Sequence, residues 1–131
     1  MLYEEMKIIT TTTNMTTELI NLRTKDYNGK SGYFYYKQKY GSRFEYIGCK
    51  VRFQPWESSI WCNPYHKQLN KLGRDMVVGL YRDYILKKPE LVAKIPCLRD
   101  KVLACWCAPE LCHGDVLIEL LKKQTRNQLG R

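Results

Sequence analysis

The chain has 131 residues, 22 Lys and Arg against 13 Asp and Glu, and a formal net charge of +9. That length suits one domain of ordinary size, and 44% apolar residues is too rich for a disordered chain. No window approaches the ~20 apolar residues of a membrane helix, and the N-terminus lacks an apolar block of signal-peptide length, so an intracellular, cytoplasmic protein with no membrane partner is expected.

In chain order, Met1 to Thr17 is low in complexity, with a Thr-rich centre. It reads as a strand fragment at Lys7 to Thr10 or as a disordered lead. Residues 1–14 are expected to be an extension, 15–124 a single α/β domain and 125–131 a basic, frayed tail. Glu18 to Arg23 suits a first strand. Asp26 to Gly32 carries turn chemistry, because Asn-Gly and Ser-Gly favour positive φ. Arg23 to Phe53 holds eight Lys and Arg, two acids and nine aromatics. Such interleaving suits single-stranded nucleic acid or nucleotides, or else a twisted hairpin with Tyr inside and Lys outside. Within it, Phe44 to Gly48 has strand composition.

Residues 49–66 contain two Pro and no period, which predicts a long loop of the kind that often carries function. Met76, Val77, Leu80, Tyr81, Tyr84 and Ile85 form an amphipathic stripe, predicting a helix over Arg74 to Leu86. Pro89 opens a short helix that Pro96 stops. Lys101 to Cys107 is a short apolar run suited to a buried strand. Glu110 to Lys123 has helical spacing, with acids early and Lys late, as the helix dipole favours. Strand, strand, long loop, helix, short helix, strand and helix predict an α/β fold, a small Rossmann-like sandwich with a partly parallel sheet.

Six Cys without a signal peptide argue against a disulfide scaffold. Cys105, Cys107 and Cys112 crowd into eight positions. Here a predicted strand ends and a helix begins, the place where open α/β sheets gather ligands and where free backbone N–H groups attract anions. Three readings compete. In one, Cys112 is a reactive thiol lowered by the helix N-terminus, His113 does acid–base work and Asp115 orients an imidazole or binds a hydroxyl. In another, zinc is held by residues drawn from Cys105, Cys107, Cys112 and His113: Cys105 and Cys107 from the strand, Cys112 or His113 as third ligand and Cys62 or His66 from the loop as fourth, although the spacing matches no standard zinc pattern. In the third, Cys105 and Cys107 are buried hydrophobes and His113 is a cap. In the loop, Asn63 suits a base edge or ribose hydroxyl and Trp61 or Trp106 a stacking face, with Cys107 on the ligand side. The same loop aromatics equally suit plugs of the core.

The Leu103-Ala104-Cys105-Trp106-Cys107-Ala108-Pro109 stretch, followed by Cys112-His113-Gly114-Asp115-Val116-Leu117, resembles an uncharacterised family, the domain of unknown function numbered 4326. That family is met in bacteria, bacteriophages and large viruses. Tyr46-Ile47-Gly48, the Trp61-x-Asn63-Pro64-Tyr65 turn and Tyr81-Arg82-x-Tyr84 support the likeness, which spans about Leu19 to Leu121. Two positions depart from it. Cys49 stands where the family tends to have Arg, and Cys62 where it tends to have Gly. If that Arg binds an anion in relatives, the role passes here to Lys50 or Arg52. A looser likeness to the domain numbered 488, which is Rossmann-like, implies the same fold class. Neither likeness implies a reaction. The expected function is a small enzyme or sensor acting on a nucleotide, nucleoside or nucleic-acid base, in a host that is a bacterium or is infected by a virus or phage. The alternative is a metal-stabilised, nucleic-acid-binding accessory module without catalysis.

Overall fold

A computed structural model of the chain describes residues 16–24, 32–107 and 110–129. The expected extension over residues 1–14 and the turn over 26–31 lie outside them. Three short strands, β1 (Glu18–Asn21), β2 (Phe44–Tyr46) and β3 (Val102–Cys105), form a sheet in the order β1-β3-β2. Both pairings are parallel, with Leu19 opposite Leu103 and Glu45 opposite Leu103 from the other side. The sheet is therefore wholly rather than partly parallel, and the fold is a small α/β sandwich.

The central strand β3 is buried along its whole length, as a run apolar on both faces requires. Side chains alternate across it. Leu103 and Cys105 join Ile47, Trp61, Tyr81 and Leu117 in one core. Ala104 joins Leu22, Tyr33, Tyr46 and Trp56 in the other. The helices are α1 (Gly32–Tyr40), α2 (Leu69–Leu72), α3 (Arg74–Leu86), α4 (Pro89–Val92) and α5 (His113–Leu129). Helices α3 and α5 supply Tyr81, Ile85, Val116 and Leu117 to the first core. Arg82 donates through Nη2 and Nε to one oxygen, Glu119 Oε2, at 2.7 and 3.2 Å, fastening them to each other.

Helix α1 is the main departure from the sequence reading. The hairpin expected in this aromatic, basic stretch is replaced by a helix. Tyr33, Tyr36 and Tyr40 recur at helical spacing, and Tyr36 and Tyr40 stack at 6.1 Å. Tyr33 lies flat on Trp56, with ring centroids 4.0 Å apart, and meets Phe44 and Tyr46 edge-on. The aromatic composition that reads as strand thus serves to plug the second core from a helix. Two smaller differences follow from packing. Met76, placed in the apolar stripe of α3, is 54% exposed, and Val78 is buried instead. The residues assigned to a frayed tail continue helix α5 through Gln124 to Leu129.

Gly114, in the first turn of α5, allows a close approach. A Cβ there would lie 2.5 Å from Leu19 Cδ1 and 2.9 Å from Ile47 Cδ1. Gly114 thus lets the start of α5 lie close against the Leu19 and Ile47 side chains, which would have to shift for any larger residue.

Candidate functional site

A cavity of about 520 Å³ opens at the carboxyl end of the sheet, within the range of small-molecule sites. Each strand delivers residues to it. Arg23 follows β1, Gly48 and Cys49 follow β2, and Trp106 and Cys107 follow β3. This is the crevice where ligands of open α/β sheets gather. Arg74 and Val77 of α3, Leu111, Cys112 and His113 close the opposite wall.

Cys105, Cys107 and Cys112 converge. The thiols of Cys105 and Cys107 are near enough to Cys112 to influence its acidity. A parallel strand brings Cys105 and Cys107 to one side, and the turn into α5 returns Cys112 beside them. The pairing separates the thiols' acidities. The Cys112 S–H and the Arg74 guanidinium stabilise a Cys107 thiolate, lowering its pKa to about 6 against partial burial. The same contacts with Cys105 and Cys107, together with burial, push the Cys112 thiol up. Cys112 is only 1% exposed. The helix N-terminus was expected to make Cys112 the acidic thiol; its neighbours reverse that order, and the acidic thiol is Cys107.

Cys112 is instead the residue that caps α5. Its Sγ accepts from the Gly114 N–H at 3.4 Å, while its own N–H donates to Asp115 Oδ2 at 2.9 Å. That is a reciprocal capping box with a thiol in place of a hydroxyl. Asp115 is therefore turned to the helix start and does not line the cavity.

His113 does line it. Its Nε2 lies 2.7 Å from the Ile47 carbonyl, which only accepts, so Nε2 carries a proton and Nδ1 is bare in the neutral ring. Nδ1 faces Cys112 Sγ at 3.5 Å. Burial lowers the His113 pKa, keeping the imidazole neutral. Tyr81 packs edge-on against the ring at 5.0 Å.

The loop residues divide. Trp61 is 2% exposed, its carbonyl accepting from Tyr81 Oη at 2.8 Å, so it plugs the core rather than offering a stacking face. Asn63 borders the cavity, but its amide is engaged: Oδ1 accepts from the Tyr65 N–H at 2.9 Å and Nδ2 donates to the Val77 carbonyl. Trp106 borders the cavity, its ring stacked on Trp56 and donating through Nε1 to Tyr46 Oη at 3.0 Å.

Cys49 and Cys62 form a disulfide, with Cα atoms 4.7 Å apart. This bond runs against the expectation from six Cys without a signal peptide. The end of β2 and the Trp61 turn are adjacent in space, tied also by the Ser59 N–H to the Gly48 carbonyl at 2.9 Å. The two positions that depart from the family pattern thus bond to each other. Of the two expected substitutes for the family Arg, Lys50 lines the cavity and Arg52 does not. Lys50 Nζ is held by the carbonyls of Gln54 and Trp56 and by Glu57. Arg52 lies over the Phe53 ring.

The cavity is also lined by Arg23 and Arg74, which sequence reasoning missed. Arg74 binds Glu110 at 2.9 Å and the Leu111 carbonyl at 3.0 Å. Arg23 carries no ion pair among the described residues. A basic residue at the end of a predicted strand was the available signal for Arg23. Among the described residues, no group of three or more His, Cys, Asp or Glu is arranged to hold a metal ion. Of the alternative zinc set, Cys107, Cys112 and His113 line the cavity, with Cys105 buried beside them.

The family model described as Domain of unknown function (DUF4326) matches residues 35–123. No curated protein and no solved structure matches the chain. No described helix is long and apolar enough to cross a membrane.

Proposed function

Because the chain belongs to this family of unknown function, we propose its activity from the site alone: a small enzyme that binds a nucleotide-like anion and uses Cys107 as its nucleophile. The observation that carries this reading is the position of the Cys107 thiol. It lies on a cavity wall at the carboxyl end of the central strand, beside the Cys112 thiol and Arg74. A thiolate is the reactive form of cysteine, and cationic, partly exposed surroundings are where reactive cysteines occur. Trp106 offers a π-face to a base, and Arg23 offers charge to a phosphate. Apolar walls from Val77, Val78 and Leu111 suit a heteroaromatic group.

Cys112 and His113 support Cys107 rather than replacing it. The first donates to the thiolate and the second stands behind it with a bare Nδ1. The test is calorimetry with the nucleoside monophosphates. Binding is expected that weakens at least tenfold in Arg23→Gln and in Trp106→Ala. No heat with any of them at millimolar concentration overturns the ligand class.

A further inference from the structure

The thiol cluster has a property that a single nucleophile does not need. Both cysteines border the cavity and interact with each other, but Cys107 is half-buried whereas Cys112 is only 1% exposed. An external molecule therefore reaches the first sulfur more readily than the second. Behind Cys112 stands the bare Nδ1 of His113, 3.5 Å away. An accessible attacking sulfur, a buried sulfur beside it and a base for the second proton are the parts that thiol–disulfide exchange requires.

We propose that Cys107 and Cys112 form an exchange pair that reduces a small anionic disulfide bound in this cavity. The proposal rests on the reading of Cys107 as the cavity's nucleophile. In the first step the Cys107 sulfur attacks one sulfur of R–S–S–R. A Cys107–S–S–R bond forms, the R–S–S–R bond breaks and one thiolate leaves. In the second, the Cys112 sulfur attacks Cys107 Sγ while its proton passes by way of His113 Nδ1 toward the leaving sulfur. The Cys107–Cys112 bond forms, the mixed disulfide breaks and the second R–S group departs, taking the proton from His113. Two protein thiols are oxidised and one external disulfide is reduced; an external dithiol returns the pair to its starting state. Burial of Cys112 sets the order of the steps. Arg23 selects for negative charge on R.

The probe is dithiobis-nitrobenzoate, an aromatic disulfide with a carboxylate on each ring. The background carries Cys97→Ser, because Cys97 is an exposed thiol elsewhere on the chain, while Cys49 and Cys62 are already bonded. With one equivalent of probe, the pair is expected to release two coloured thiolates per chain and to retain no adduct. Peptide mapping should show a Cys107–Cys112 bond. Cys112→Ser should release one thiolate and hold the other on Cys107, and Cys107→Ser should lose the fast phase. Should Cys112→Ser not fold, the map of the parent chain decides. A stable adduct on Cys107 in the parent, with one thiolate released, overturns the exchange pair and leaves Cys107 as nucleophile. A fast phase surviving Cys107→Ser overturns both readings. Two thiolates from Cys112→Ser, with Cys107 bonded to Cys105, overturns the role of Cys112.

Discussion

The pH dependence of Cys107 alkylation tests the site most directly. In the Cys97→Ser background, Cys107 is the half-buried thiol at the cavity, while Cys105 and Cys112 are buried. Its midpoint is expected near 6. At neutral pH such a thiol is about 90% ionised, against roughly 3% for an ordinary thiol near 8.5, a gain of about 30-fold. Intrinsic nucleophilicity falls with basicity, and a Brønsted slope of about 0.4–0.5 removes roughly 10- to 18-fold over that interval. The two effects nearly cancel at pH 7, leaving about 2- to 3-fold. At pH 5 the ionised fractions differ by roughly 300-fold, and a net advantage of about 20-fold remains. Iodoacetamide rates should therefore be measured from pH 4.5 to 9 and judged on the acid limb. The rate should rise through about 6 and then level. Arg74→Leu should move the midpoint up, because a cation favouring the thiolate is lost. Cys112→Ala should move it further, because the Cys112 hydrogen bond is the larger cause. A midpoint in the ordinary thiol range, or one that ignores both substitutions, refutes the reasoning. The sign for stability follows. A folded-state pKa below the unfolded value stabilises the native chain above the unfolded thiol range, and that contribution is lost as pH falls through about 6.

Three further outcomes separate structural from chemical roles. Gly114→Ala drives a methyl to 2.5 Å from Leu19 and 2.9 Å from Ile47; overpacking of this kind costs about 1–3 kcal/mol, read from denaturant midpoints, and an unchanged midpoint would show that α5 is free to shift. Asp115→Ala removes the acceptor for the Cys112 N–H and should cost about 0.5–2 kcal/mol of stability while leaving the Cys107 midpoint in place; a moved midpoint would assign Asp115 to the chemistry. Opening the Cys49–Cys62 bond, which spans 13 positions, should lower stability by up to about 3 kcal/mol through the released loop entropy. Equal melting temperatures for the parent and the Cys49→Ser, Cys62→Ser double variant would contradict that.

Much of the site was legible because it is local. Cys105, Cys107, Cys112 and His113 lie within nine positions, so the strand–turn–helix reading alone brings them together. The α/β class, the helix over Arg74 to Leu86 and the strand at Val102 also follow from periodicity and length, whereas a sheet parallel at both pairings does not. What sequence handled poorly depends on distant neighbours. The aromatic run over Tyr33 to Tyr40 has strand composition, and the stacking of Tyr33 on Trp56 accompanies a helix. Trp61 and Trp106 read as equivalent stacking faces, yet Tyr81 and the core take one while the cavity keeps the other.

The chain by itself determined which chemistry is available: thiols, an imidazole and a strand-to-helix turn, held close by covalent connection. Tertiary structure alone decided which thiol ionises. Acidity depends on through-space partners, and Arg74 and Cys112 reach Cys107 from different segments. It also decided that Cys49 and Cys62, 13 positions apart, become one bond. Arg23 reaches the same cavity as Arg74 because parallel strands end together at one edge of the sheet.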